Sequence, residues 1–533
     1  MPVFVLLMSF TLCAAAGPAT DGERIYREGI LPSGKALVGE REAGVRAEGA
    51  DAACVNCHRR SGLGTLEGNI VVPPITGKYL FRPLGRQLGD VDILRFGQGY
   101  ALDRSPYTEE ALTRAIREGI GKNGRKLNFL MPRFRMDDAA LASLTSYLKD
   151  LSAGPVPGVT DDTLHFATII TPDADPVKRQ GMLDVLQSFF ADKNEFIRGG
   201  GKPMQSSLGI HYRVTRKWQL HVWQLSGTPE TWERQLHQHL QAEPVFAVIS
   251  GIGGKTWEPV HRFCEREGIP CLFPNVDLPV VAEKDFYAIY FSKGVLLEAE
   301  LIAGQLKRLQ QSRALSRVIQ VVREDDMGVD AARAVCVDAG PLGLKAETRV
   351  LKSDASEKDL AALLKDTGPG DAVILWLRPL DLASLPGKTR SSAVFVSGIM
   401  GGFEDAPLPA AWRHVAQLSY PLDLPEQRKI RMFYPLGWFR IKHIPLVDER
   451  VQSDTYLACG ILAENLSFML DSFVRDYLVE RIETMLSERV LTGEYPRLGL
   501  APGQRFASKG GYMVHFADAG DNKLIPDSGW IVP

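Results

Sequence analysis

From residue 163 onward the chain alternates short apolar runs with amphipathic ones, and this alternation restricts the fold more than any other feature. The runs "LHFATIIT", "WQLHVWQL", "VFAVISG", "RVIQVVRE", "DAVILWL" and "AVFVSG" read as strands. Between them lie "PETWERQLHQHLQ", "WEPVHRFCEREG", "GVDAARAVCVDAG" and "EKDLAALLKD", which read as helices. Strands separated by helices of that length pair in parallel, because each crossover returns along a sheet face. At 533 residues the chain exceeds one ordinary core, so several domains are expected.

Residues 21–152 read differently. Asp21 can cap a helix carrying Ile25 and Tyr26, and Thr108 can cap "EEALTRAIREG", which Gly119 ends. Asp137 can cap "DAALASLTSYLKDL", in which Leu141, Leu144, Leu148 and Leu151 recur at helical spacing. This region is expected to be a small all-α domain. Residues 153–162, within "SAGPVPGVTDD", are a Gly/Pro linker to a second domain over 163–533. So short a helical unit holds few large apolar residues and cannot easily build a core alone. A large apolar cofactor would supply one.

The string "CVNCH" places Cys54, Cys57 and His58 together. A structural zinc site needs a matching second ligand pair, and the chain has no second CxxC. A thioredoxin-like motif needs a neighbouring βαβ pattern, which this region lacks. C-x-x-C-H is the attachment signal of a c-type haem: two thiols add to the haem vinyl groups, and the following imidazole faces the iron. For the second axial position "LNFLMPRFRMDD" offers Met131, with Met136 as a rival. A thioether favours reduced iron and suits electron transfer.

With "CVNCH", the "GLG" just after it and "MPRF" before a terminal helix, residues 21–152 resemble a class I c-type cytochrome. The resemblance implies one covalently attached haem c, with Cys54 and Cys57 as thioether anchors. His58 is then the proximal iron ligand and Met131 the distal one. A long gap between the first helix and Cys54 departs from a compact cytochrome and leaves the fold of residues 33–51 open. The segment leading to Met131 is basic: Arg114, Arg117, Lys122, Arg125, Lys126, Arg133 and Arg135 are opposed locally only by Glu118. Such a face can steer an acidic redox partner protein, or it can be an ordinary solvated surface.

In layout, the second domain resembles type I periplasmic substrate-binding proteins of the branched-chain amino-acid receptor group. "VFAVISGIGGKTWEPVHRFCEREGIPCLFPNV", "FYAIYFSKGVLLEAELIAGQL" and "ERVQSDTYLACGILAENL" carry the likeness. It implies a two-lobed α/β fold closing on a small-molecule ligand by a hinge. Ser250, Gly251 and Gly253 would present backbone N–H groups and a hydroxyl at a helix N-terminus, which suits a carboxylate. Tyr290, Ser292 and Ser397 are expected on facing loops. "GIGGKTWEP", with Lys255 and Trp257, replaces the receptors' run of small hydroxyl residues and departs from an amino-acid site.

"MPVFVLLMSFTLCAAAG" has the apolar run and small-residue end of a signal peptide over residues 1–16, so the chain is expected to be exported to the periplasm. No later run is long and apolar enough for an integral membrane segment. A net charge of −2 gives no sign of nucleic-acid binding. In an oxidising compartment Cys264 and Cys271 could bridge, and so could Cys336 and Cys459; buried thiols are the alternative. No catalytic constellation emerges. The expected function is a periplasmic mono-haem cytochrome transferring single electrons, fused to a ligand- or partner-binding module. The alternative is a receptor for a small carboxylate with the haem as accessory sensor. At family level, association with a quinoprotein dehydrogenase system is a further suggestion.

Overall fold

A computed structural model describes residues 20–42, 44–67, 70–82, 105–198, 204–205, 211–212, 216–282, 284–312, 315–340, 343–469, 472–488, 493–518 and 520–533. The expected signal peptide lies outside the described residues. The chain forms two compact units. One takes Met1–Val156, Pro203–Arg213 and Phe468–Tyr477; the other takes Pro157–Lys202, Val214–Ser467 and Leu478–Pro533.

In the first unit the Asp21–Glu28 helix crosses the Asp138–Asp150 helix. The crossing is close enough that a Cβ on Gly22 would meet the Ser143 carbonyl oxygen at 2.2 Å. The first helix is capped by Thr20 rather than by Asp21: the Thr20 hydroxyl accepts from Glu23 N at 3.2 Å, and Asp21 begins the first turn. Thr108 and Asp137 cap their helices, accepting from Ala111 N and Ala140 N. Leu141, Leu144, Leu148 and Leu151 are buried in one cluster with Ile25, Tyr26 and Phe134.

The unit is not all-α. Strands β1 (Val38–Glu40) and β2 (Arg46–Glu48) precede the short Val55–His58 helix. Strands β3 (Thr65–Glu67) and β4 (Ile70–Val72) follow it, and β5 (Arg133–Arg135) runs up to the last helix. β1 is the centre of an antiparallel sheet in the order β2-β1-β5, and β3 pairs with β4. Much of the stretch left open by its sequence therefore builds a sheet against "RFR". Three-residue strands carry too little periodicity to be read from sequence.

The second unit holds two parallel sheets. Lobe one contains β6 (Thr163–Ile170), β7 (Lys217–Gln224), β8 (Ala247–Ile249), β9 (Cys271–Leu272) and β10 (Ala288–Ile289), in the order β10-β9-β8-β6-β7. Lobe two contains β11 (Arg317–Arg323), β12 (Lys345–Leu351), β13 (Asp371–Trp376), β14 (Ala393–Ser397) and β15 (Ala416–Tyr420). It ends with β16 (Tyr512–Phe516) and β17 (Leu524–Pro526), giving the order β12-β11-β13-β14-β15-β16-β17. β11 to β15 pair in parallel, while β16 and β17 add antiparallel at the edge. Central strands β13 and β14 are buried at every residue, as strands covered by helices on both faces must be. The C-terminal segment thus completes a lobe. The parallel sheets are those expected from the alternating pattern, and the two lobes are those the resemblance implies.

Cys264, Cys271, Cys336 and Cys459 are all free thiols. Cys264 and Cys271 sit fully buried in the lobe-one core among Trp223, Phe263 and Ile269. Cys336 instead faces Gln320, 3.3 Å from its Nε2, while Cys459 belongs to the Glu449–Met469 helix. Packing, not cross-linking, accounts for them.

The Val295–Ser312 helix buries Glu298 completely beneath β14. The Ser397 hydroxyl and Ile399 N donate to its carboxylate, the latter at 3.0 Å. Burial outweighs these bonds and lifts the carboxyl to about 7. Its stabilising contribution is present below pH 4.5, is lost as pH rises to 7, and totals about 3 kcal/mol. Glu298→Gln is therefore expected to gain stability relative to the parent chain across that interval in urea titrations. A difference that stays flat with pH would refute the buried carboxyl's role.

Candidate functional site

In the first unit four sequence-predicted residues converge. Cys54, Cys57, His58 and Met131 all line one cavity of about 350 Å³, within the range of ligand pockets. Its walls are otherwise mostly apolar, with Val72, Leu112, Ile116, Phe134 and Leu144 among them. Met136, the rival sulfur, lines it too.

The imidazole is held by the backbone. The first turn after "CVNCH" brings Gly64 N to the His58 carbonyl at 3.1 Å. Gly64 has φ +72°, and a Cβ there would meet the Val72 oxygen at 2.0 Å, so only glycine closes this turn. The β3–β4 hairpin then returns Pro73, whose carbonyl oxygen lies 3.0 Å from His58 Nδ1. A carbonyl only accepts, so Nδ1 donates and the lone pair of the neutral ring sits on Nε2. Burial pushes this imidazole down to about 4, against the pull of the Pro73 bond, so it is neutral at physiological pH. Burial also pushes the Cys54 thiol up to about 12.

The basic segment near Met131 is less bare than its sequence implies. Arg117 pairs with Asp138 at 2.7 Å, Arg133 with Glu42 at 3.0 Å, Lys126 with Glu42 at 3.6 Å and Arg135 with Glu40 at 3.3 Å. These carboxylates come from the β1 region and the last helix, which local composition cannot reveal. The uncompensated basic face expected for docking is therefore partly neutralised by the unit itself.

In the second unit the predicted ligand loop is occupied by the chain's own groups. Ser250 is fully buried; its hydroxyl lies 3.1 Å from Thr455 Oγ1 and accepts from Asn275 Nδ2 at 2.8 Å. Trp257 packs against Gly251 and Gly253, and its ring is buried. The loop's N–H groups do meet a carboxylate, but it is internal: Lys255 N donates to Asp173 Oδ2 at 2.7 Å. Gly254 N donates to Thr171 Oγ1 at 3.2 Å. Ser250, Gly251 and Gly253 thus form a structural junction. Ser397 likewise caps its own short helix and bonds Glu298.

Tyr290 and Ser292 do reach a cleft between the lobes. Asn275, Phe291, Ile399, Phe403, Arg450, Asp454 and Tyr495 line it with them. Its free volume is only about 30 Å³, room for a water or two. Tyr290 donates or accepts at His261 Nδ1, 2.7 Å away, and His261 Nε2 meets Asp285 at 2.5 Å. Arg450 and Asp454 stand one turn apart on the Glu449–Met469 helix. Arg450 donates to Asp277 at 2.7 Å, and Tyr495 donates to Asp454 at 3.0 Å. Burial raises Asp454, helped by the neighbouring Glu494; Asp277 stays below the ordinary range because Arg450, Lys178 and Arg378 together outweigh its burial. Sequence reading missed this cluster, although Arg450 and Asp454, four residues apart in "ERVQSDTYLACG", share one helix face and were a signal.

A separate open groove of about 510 Å³ runs between Lys255 and Glu258 of lobe one and the Gly328–Ala339 helix of lobe two. Leu278, Val280, Leu296 and Val337 give it an apolar floor. Arg333 pairs with Asp330 at 2.7 Å, while Lys255 is exposed with no carboxylate in ion-pair distance among the described residues.

This is the architecture of two-lobed, periplasmic-binding-protein-like α/β folds. No protein-family model matches the chain, and no curated protein matches it. Among solved structures it is similar to a fatty acid ABC transporter substrate-binding protein from Thermomonospora curvata. The identity is 16% and the TM-score 0.50, over 71% of this chain and 95% of that one. A substrate-binding periplasmic protein from Ralstonia solanacearum matches at 12% identity and TM-score 0.50, over 68% of this chain and 100% of that one. These likenesses establish the fold of the two lobes.

The Arg450–Asp277 pair tests the energetics of the cleft. Arg450→Met is expected to cost about 3 kcal/mol in urea unfolding, since it strands buried carboxylates. The double variant Arg450→Met, Asp277→Leu should recover most of that loss. Equal losses in both would show that the pair is not coupled.

Proposed function

We propose that the protein is a solute-binding protein of the two-lobed type, acting outside the cytosol, with a haem c held covalently by its first unit. The observation that carries the binding reading is the interlobe groove, whose size suits a small ligand. Lys255 supplies an unpaired cation above an apolar floor, which suits a carboxylate on an apolar body. The solved neighbours named for substrate binding share this fold, which supports a receptor rather than a catalyst.

The residues of the first unit fit a haem. Two thiols and an imidazole with a bare Nε2 share an apolar cavity with a thioether sulfur. Cys54 and Cys57 would form the thioether links. His58, oriented by Pro73, would offer Nε2 to the iron, and Met131 would face it. When bound, the haem supplies one-electron chemistry. The chain's own part is to exclude water with the cavity walls and to fix the imidazole. Met131 favours a second reading, in which the unit exchanges single electrons with a redox partner and the lobes select that exchange.

The two halves are tested separately. Chain produced in a host competent for c-type attachment is expected to be coloured and heavier than the peptide by one haem. Cys54→Ala with Cys57→Ala should return the bare peptide mass; a colourless parent chain overturns the haem assignment. In a thermal-shift screen of small carboxylates with apolar tails, a binder at 100 times its Kd should stabilise the protein by about 2.7 kcal/mol. Lys255→Ala should abolish that shift, and a screen without any shift overturns the carboxylate reading.

A further inference from the structure

The Pro425–Arg431 and Phe433–Ile441 helices carry an apolar face that no part of the described chain covers. Ile430 is 76% exposed, Phe433 74%, Tyr434 68% and Ile441 73%. Among the described residues, Leu380 and Phe129 are exposed singly, while Leu446 and Val447 lie just after the second helix and are about half exposed. The second helix is apolar on both sides. Pro435 and Phe439 face inward, and Phe439 packs with Val185 and Ile444. At 100° per residue Phe433, Tyr434, Arg440 and Ile441 fall on the opposite arc. A helix apolar all round is ordinarily buried on all sides, so the outward arc is built to be covered.

The charges around this face are sorted by direction. Arg431 pairs with Asp423 at 2.8 Å, Arg428 with Glu404 at 2.5 Å, and Lys442 with Asp192, which also accepts from Trp438 Nε1 at 3.1 Å. These pairs fasten the two helices to the second unit. Lys429 and Arg440 are exposed and have no ion-pair partner among the described residues. Between Pro425 and His443 the only acidic residue is Glu426. The outer face therefore offers bulky apolar side chains, two of them aromatic, rimmed by free cations.

We propose that this helical pair is a docking surface for an anionic lipid membrane. An apolar interior accepts Ile430, Phe433 and Ile441 without any shaped pocket, with Tyr434, whose hydroxyl bonds Tyr456, at its edge, and acidic headgroups complement Lys429 and Arg440. A second copy of the chain is the poorer occupant, because a symmetric contact would set these cations against each other around one carboxylate per copy. The surface holds the protein at a membrane without a spanning segment. It is independent of what the lobes or the first unit bind.

The test is co-sedimentation of the purified full-length chain with vesicles of phosphatidylcholine alone or with phosphatidylglycerol. Binding is expected to the anionic vesicles and to weaken with salt. Lys429→Gln with Arg440→Gln should lower partitioning by about fivefold per cation. Phe433→Ser with Ile441→Ser should lower it at least about tenfold. All four side chains are exposed, so thermal unfolding should stay unchanged, which separates loss of docking from loss of fold. Equal binding by parent and variants would sink the proposal. So would no binding to anionic vesicles, or a dimer in light scattering that the serine variant dissolves.

Discussion

Parallel strand pairing is the constraint on which the second unit rests. A parallel neighbour can be reached only by a crossover, and a right-handed crossover lays a helix on the sheet face. β6 pairs with both β8 and β7 in this way, and β11 with both β12 and β13. Every connection leaving a strand's carboxyl end then falls on the same edge of its sheet. Both lobes present such edges, and the cleft residues come from them: Asn275 after β9, Ser292 after β10, Ile399 after β14 and Leu422 after β15. The location of the cleft is thus a consequence of pairing direction, and its chemistry is a matter of loop sequence.

Loop sequence has here been used to satisfy the fold before any ligand. Asp173 takes a backbone N–H of the "GIGGK" loop, and Thr171, two residues before it, takes another. Asn275 and Thr455 take the Ser250 hydroxyl, and Trp257 fills the space that two glycines leave. A helix N-terminus is an anion site only while its donors are free. A ligand can compete for the Lys255 N–H of the loop before this helix only by displacing a covalently tethered carboxylate, whose effective concentration is high. Under the proposed function, recognition falls instead to the open groove beside Lys255.

Much of the fold was legible in the chain. β13 and β14 are read directly from "DAVILWL" and "AVFVSG", because continuous burial on both faces leaves continuous apolar sequence. The strands of the first unit were not legible, since three residues of β1 and three of β5 meet across a separation in sequence and leave no period. The same distance effect hid the partners of the basic segment: Glu40 and Glu42 lie far from Arg133 and Arg135 in the chain. The thiols and imidazole of "CVNCH" could be placed together from sequence because they are adjacent in the chain; the haem they suggest belongs to the proposed function. The carboxylate site was misread for the opposite reason: a glycine-rich turn before a helix has the same local pattern whether its donors await a ligand or already hold Asp173.

The first unit shows why a local motif needs a remote scaffold. "CVNCH" places two thiols and an imidazole together, but the direction of the His58 ring is set by Pro73, which follows the β3–β4 pair, itself entered through a turn that admits only glycine at position 64. The cavity walls come from still farther away, from Leu112 and Ile116 on one helix and Leu144 and Leu148 on another. These walls belong to the same apolar cluster as Ile25 and Tyr26, so cavity and core are one packing problem. A unit this small gains stability when an apolar group completes that packing. The site is therefore prepared by backbone geometry, which aims the imidazole, and by the core, which favours an occupant with an apolar body.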